Sequence, residues 1–144
     1  MPSLAEQEEN RLFAVNNFAG VVILYKNSVL LGKRAENGCA YPGHWSIPAG
    51  MVESGESTDI CAERELLEET GILLDKPLIS LCDFEDKDGT FYVYLYDADE
   101  MPFPDSEAKD AYEHTEWGYF SIDDNALPEP ISKEIKEVIL KIKK

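Results

Sequence analysis

Between Ser57 and Thr70 the chain reads STDICAERELLEET, and this stretch constrains its fold more than any other. Good helix formers fill it, Ser57 is placed to cap its start, Asp59 lies in the first turn, and Gly71 stands where a helix stops. On that helix Glu65, Glu68 and Glu69 are spaced i, i+3 and i+4, so they share one face within about a quarter of the circumference. Ile60 and Leu67 point roughly the other way and are expected to supply the apolar side that docks the helix. Three carboxylates on one surface repel one another and ask for a counter-charge. Hard, oxygen-preferring Mg²⁺ or Mn²⁺ fits, because it takes a few carboxylates, keeps several waters and bridges to phosphate oxygens. Taken alone, the three glutamates are explained as readily by a solvated acidic face.

The flanking segments read as strands. From Phe18 the run FAGVVILY is continuous and β-branched, KNS gives a turn, and VLLGKR resumes an extended pattern, which predicts a hairpin with a buried first strand. AENGCAYPGHW is turn-rich, and WSIPAG is a short extended piece ending in glycine. PLISLCDFE and TFYVYLYDA are two strands joined by DKDG, with Asp88-Gly89 as the hairpin signal. DKDG is not a calcium loop, since Phe84 and Leu95 would fall at its first and twelfth ligand positions. WGYFSI is a further strand, and ISKEIKEVILKIKK is an amphipathic helix. The order β-β-α-β-β-β-α implies an α/β domain with a mixed sheet between helices.

With 144 residues and no repeat or linker, one domain over 1–144 is expected, its polar residues 1–11 frayed. No apolar run is long enough to cross a bilayer and the N-terminus is acidic, so a cytoplasmic protein without a membrane partner is expected. Cys39, Cys61 and Cys82 form no metal or redox pair; Cys61 reads as a small helix filler rather than a catalytic thiol. The net charge of −16 argues against a nucleic-acid partner, which would need a basic stripe. An anionic substrate would instead need its repulsion offset locally, as divalent cations held by carboxylates would do.

The segment from Gly50 to Ile72, GMVESGESTDICAERELLEETGI, is similar to the signature of the Nudix hydrolases. Gly50, Glu56, Arg64, Glu65, Leu66, Glu68, Glu69, Gly71 and Ile72 match it without a gap or substitution. The seven fixed identities would co-occur by chance on the order of once in 10⁸ starts. This box covers about a sixth of the chain, and the lead-in HWSIPAG resembles the W-x-x-P-G-G that precedes it in many members. Ala49 departs from the usual second glycine, yet its backbone carbonyl can still serve as the metal ligand the family places there.

The resemblance implies an α/β/α sandwich and an Mg²⁺-dependent pyrophosphohydrolase, Mn²⁺ being a substitute. Its substrate would be a nucleoside diphosphate linked to a further moiety: a nucleoside triphosphate, ADP-ribose, a dinucleoside polyphosphate or a nucleotide sugar. By the same resemblance Glu65, Glu68, Glu69 and the Ala49 carbonyl hold the metal, Arg64 pairs with Glu56 structurally, and Gly50 and Gly71 shape the loop and helix end. Glu65 itself, or Glu113 on a later loop, takes the proton, with Glu116 as runner-up. Arg34 resembles the basic residue set against a substrate phosphate, and Lys33 alternates to the opposite strand face. Tyr41, Trp45, Phe13 or Trp117 would stack on the leaving group, although each is more often a core residue. His114 is a lone histidine that reads more readily as structural than as a proton shuttle. A non-catalytic nucleotide-binding or sensor domain is the alternative, disfavoured because every box glutamate is retained. Homodimers are frequent in the family, and nothing in the sequence marks an interface.

Overall fold

The computed structural model describes residues 16–37 and 40–142; Phe13, Cys39 and the segment 1–11 discussed above lie outside the described residues. The strands are β1 (Asn16–Tyr25), β2 (Ser28–Arg34), β3 (Trp45–Ser46), β4 (Ala49–Met51), β5 (Ile79–Asp86), β6 (Gly89–Ala98) and β7 (His114–Ser121). Helix α1 spans Thr58–Thr70 and helix α2 spans Lys133–Ile142.

The seven strands of the described residues, two more than the five expected because β3 and β4 are separate short strands, belong to one sheet whose main path is β3-β2-β1-β6-β5, with β4 beside β1 and β7 beside β2. β1 runs parallel to β6 from Asn16↔Gly89 to Tyr25↔Ala98, while its other pairings are antiparallel. The sheet is therefore mixed, as expected. β1 is continuous in hydrophobicity because both its faces are covered. Ala19, Val21 and Ile23 pack with Cys61, Ala62 and Leu66 of α1, whereas Val22 packs with Ile135, Val138 and Ile139 of α2. The period of two along the strand thus sorts its residues between two cores, giving the three-layer α/β/α architecture.

The hairpin of β1 and β2 stays paired only at Leu24↔Val29 and Tyr25↔Ser28. Beyond those pairs, the other end of β1 takes β4 as its neighbour, through Phe18↔Met51, Ala19↔Gly50 and Gly20↔Ala49. β2 takes β3 and β7 instead. The box loop enters the fold on β4, and α1 follows it across the sheet.

Helix α1 starts at Ser57, but the Ser57 hydroxyl donates to the Asp59 carboxylate at 2.7 Å and does not cap a backbone N–H. It stops at Gly71, whose φ of 75° is left-handed and whose N–H returns to the Leu67 carbonyl at 2.8 Å. The docking face differs from the expectation. Ile60 and Leu67 are 54% and 44% exposed, whereas Cys61, Ala62, Leu66 and Glu69 are fully buried. Glu65 and Glu69 fall angularly between Cys61 and Leu66, so the acidic stripe lies on the buried side. The physical reason is size. Cysteine and alanine let the helix approach β1 closely, and Leu66 alone supplies a large apolar group at the contact.

Candidate active site

Arg64 organises the carboxylates around it. Its Nε donates to Glu56 Oε2 at 2.7 Å and its Nη2 to Glu56 Oε1 at 3.0 Å, a bidentate pair. Nη1 donates to Glu65 at 2.9 Å and to Glu68 at 3.1 Å, and Nη2 also reaches the Met51 carbonyl at 3.2 Å. The loop before α1 and the helix are thereby clamped together. Hydrogen bonds from Arg64 and from the Glu53 backbone draw the Glu56 carboxyl down to about 2.

The three glutamates of the box separate in space. Glu68 is turned toward Arg64 and toward Lys109, whose Nζ lies 3.5 Å away. Glu65 lies against β4: a Cβ at position 50 would sit 2.1 Å from its carboxyl carbon, so only glycine permits this approach. Glu69 has no exposed surface, and among the described residues neither of its oxygens finds a donor. Burial first, and then the Glu65 carboxylate beside it, raise the Glu69 carboxyl well above the ordinary range.

Among the described residues no three acidic, histidine or cysteine side chains converge as a ready cage for a metal. The donor set nevertheless fits a hydrated hard cation. Mg²⁺ commonly uses one or two carboxylates, keeping waters and substrate phosphates in its other positions. Two donor-less oxygens of Glu69 beside Glu65 form such a pair, and an unpaired carboxylate at that depth is costly without a counter-charge.

Arg34, Glu113 and His114 close the site from the sheet. Arg34 Nη1 lies 3.5 Å from Glu113 Oε1 and 3.4 Å from His114 Nε2, and Nε donates to the Ala40 carbonyl at 3.2 Å. A guanidinium only donates, so Nε2 accepts and the ring proton rests on Nδ1. His114 is buried, and burial followed by the charge of Arg34 pulls it down to about 3, leaving a neutral ring. With Nε2 occupied as an acceptor, the Glu69 oxygen 3.7 Å away gains no hydrogen bond from it. Burial raises the Glu113 carboxyl, opposed next by Arg34. Glu116 is exposed and stands opposite Lys33 in the β2–β7 register, away from the cleft.

A cleft of about 460 Å³ is lined by Arg34, Ala49, Gly50, Glu65 and Glu113, while the buried Glu69 and His114 are not among its lining residues. Tyr41 also lines it, with a left-handed φ of 53° and its hydroxyl donating to Asp88 at 3.4 Å. Trp45 reaches the cleft wall but is a core residue, 8% exposed and packed edge-on to Phe120. Trp117 lies against the His114 ring at 4.4 Å and lines no part of this cleft. Burial pushes the Cys61 thiol up to about 12, which suits a packing role. The sequence reading missed Phe18, Phe84, Phe91 and Asp88, all of which line the cleft. Strand alternation places such residues on one face without telling which face is open.

The family model described as NUDIX domain matches residues 16–142. The RNA pyrophosphohydrolase of Caulobacter vibrioides is 43% identical over 54 residues, covering 37% of this chain and 30% of that protein. The match thus spans less than a third of the relative's length. Among solved structures, the MutT NUDIX hydrolase from Burkholderia pseudomallei superimposes with a TM-score of 0.74 at 25% identity, covering 88% of this chain and 97% of that one. The NUDIX domain of Shewanella oneidensis NrtR complexed with ADP ribose gives 0.71 at 19% identity, over 98% and 97%. At that identity the Shewanella likeness is one of fold.

Proposed function

The chain belongs to the Nudix family, and from that premise we propose that it is an Mg²⁺-dependent pyrophosphohydrolase cleaving a phosphoanhydride bond in a nucleoside diphosphate linked to a further moiety. The observation that carries this reading is the fully buried Glu69 carboxyl, without a donor among the described residues, beside the Glu65 that lines the same cleft as Arg34. Glu65 and Glu69 would hold the cation, with Glu68 and the Ala49 carbonyl completing its surroundings. When bound, Mg²⁺ neutralises charge on phosphoryl oxygens and makes its water acidic.

The chain's own groups do the rest. Arg34 binds and orients the diphosphate through its planar fork. Glu113, raised by burial and facing the same cleft, accepts the proton of the attacking water, since a base works best when its pKa approaches the working pH. Gly50 admits the Glu65 carboxylate, and Arg64 fixes its direction. Water attacks one phosphorus, the bridging P–O bond breaks, and its electron pair leaves on the departing phosphate.

In this reading the chain is one catalytic domain working in the cytoplasm on small nucleotides. Among the described residues no helix is long and apolar enough to cross a membrane. The Caulobacter relative is named for RNA, but a net charge of −16 disfavours an RNA surface here.

The test is a panel of nucleoside triphosphates, ADP-ribose, dinucleoside polyphosphates and nucleotide sugars with Mg²⁺ or Mn²⁺, followed by product analysis. Hydrolysis of at least one class, lost with EDTA and in Glu69→Gln, is expected. Unchanged turnover in Glu69→Gln would place the metal elsewhere. Nucleotide binding without turnover would instead favour the sensor reading.

A further inference from the structure

One side chain from each of four adjacent strands lines up across the floor of the cleft. Phe84 of β5 is the register partner of Phe91 of β6, Phe91 of Phe18 of β1, and Phe18 of Met51 of β4. Register partners share a sheet face, and all four residues line the cleft. The Phe84 and Phe91 rings are 5.2 Å apart and within 7° of parallel; Phe91 and Phe18 are 6.3 Å apart and 20° from parallel. Three inter-strand spacings give the row a length of about 14 Å. It ends at Met51, next in the chain to the glycine against which the Glu65 carboxylate lies.

A row that only extended the core would be sealed by α2. The three rings are instead half-buried and Met51 is 51% exposed, so an apolar strip faces the cleft all the way to the reaction end. A strip of this kind repels a hydrated sugar or a second phosphate and takes a flat, weakly hydrated ring. Asp88 and Glu134 at the same cleft offer carboxylate acceptors to ring N–H or amino groups.

We propose that this row seats the heterocyclic base of the substrate, with the diphosphate at Arg34 and Glu65 and the base over Phe84 and Phe91. The proposal rests on the phosphoanhydride reading above and adds to it a substrate rank: nucleotides carrying a base over a diphosphate without one. The row acts on KM, because a stacked base contributes alike to the bound ground state and to the transition state. The preference among bases is shallow, since every base offers a π-face.

Phe84 is the residue to change, because β5 is an edge strand. In Phe84→Leu the KM for a purine nucleotide should rise about tenfold, in keeping with the typical worth of a base–aromatic stack. The kcat should stay within about twofold, and Phe84→Tyr should restore KM. Phosphoribosyl diphosphate, which has no base, should be handled alike by all three proteins. An unchanged nucleotide KM in Phe84→Leu, or an equal loss on phosphoribosyl diphosphate, overturns the proposal.

A titration with α,β-methylene ADP, a non-hydrolysable purine diphosphate, separates this proposal from the reading beneath it. Binding by the wild type that weakens about tenfold in Phe84→Leu supports the seat even if no panel compound is turned over. Failure of the wild type to bind overturns the seat whether or not phosphoribosyl diphosphate is cleaved.

Discussion

Helices α1 and α2 cover opposite faces of one sheet and are held there by different means. α2 sets Ile135, Val138 and Ile139 into its core, with the Ser132 hydroxyl accepting the Ile135 N–H at 3.2 Å near its start. α1 sets Cys61, Ala62 and Leu66 into its core and, on the same face, a glutamate with no exposed surface. The first face gains from every residue it buries. The second gives up part of that gain by desolvating Glu69, and recovers it through Leu66, the Arg64 clamp and the Gly71 stop. A helix that only packs can follow the apolar pattern throughout; one that turns Glu65 to a cleft and buries Glu69 beside it cannot.

The contrast can be broken most sharply at two neighbouring residues of α1. Leu66→Ala should cost about 2–5 kcal/mol, because Leu66 is fully buried between α1 and β1. Urea denaturation reads this directly, and a loss below 1 kcal/mol would mean that α1 is not anchored through that face.

Next in size is a gain. Without metal, Glu69→Gln should stabilise the protein at neutral pH by about 1–3 kcal/mol, since it removes a buried carboxyl whose ionised form finds no donor among the described residues. Thermal melts in EDTA would show a higher Tm in the variant, alongside the loss of hydrolysis. A lower Tm would mean that the carboxylate is compensated in the metal-free protein.

The pH dependence follows from the same face. The Glu69 carboxyl, ordinarily near 4.5, is raised on folding, so its contribution to stability is complete below that value and is lost as pH rises through its elevated folded pKa. His114 behaves oppositely. Its ordinary 6.5 falls to about 3 on folding, so its contribution is complete above 6.5 and is lost as pH falls toward 3. Urea midpoints measured in EDTA across this range should therefore decline less on the alkaline side in Glu69→Gln and less on the acid side in His114→Gln.

The smallest effect sharpens the contrast by its absence. Leu67→Lys, one residue beyond Leu66, should shift stability by no more than about 0.5 kcal/mol, because its side chain faces solvent. A loss comparable with that of Leu66→Ala would restore the docking face inferred from hydrophobicity.

The elements themselves were legible where a local rule governs them. The α1 C-terminus follows from Gly71, the β5–β6 hairpin from DKDG, although its two turn residues are Lys87 and Asp88 and Gly89 already pairs with Asp86, and the α2 packing face from its apolar period. Within the site, the residues of the box could be named in advance, but the division among them could not. Glu68 turns to Lys109, and Glu69 meets His114 and Glu65, through neighbours distant in the chain or set by side-chain rotamers. Glu113 and Glu116 look equivalent as letters. The pairing of Arg34 with Glu113, and of Lys33 with Glu116 in the strand register, separates them.

From its residues alone this protein had its helix ends, its five longer strands, its acidic stripe and its family resemblance, because these depend on spacing along the chain, whereas the division of WSIPAG and its neighbour into β3 and β4 was not foreseen. Which face of α1 is buried, which carboxylate loses its donors, and that Phe84, Phe91, Phe18 and Met51 form one row were decided only by the tertiary structure. The reason is physical: desolvation and cross-strand contact are properties of what surrounds a side chain, and residues far away in the sequence supply those surroundings.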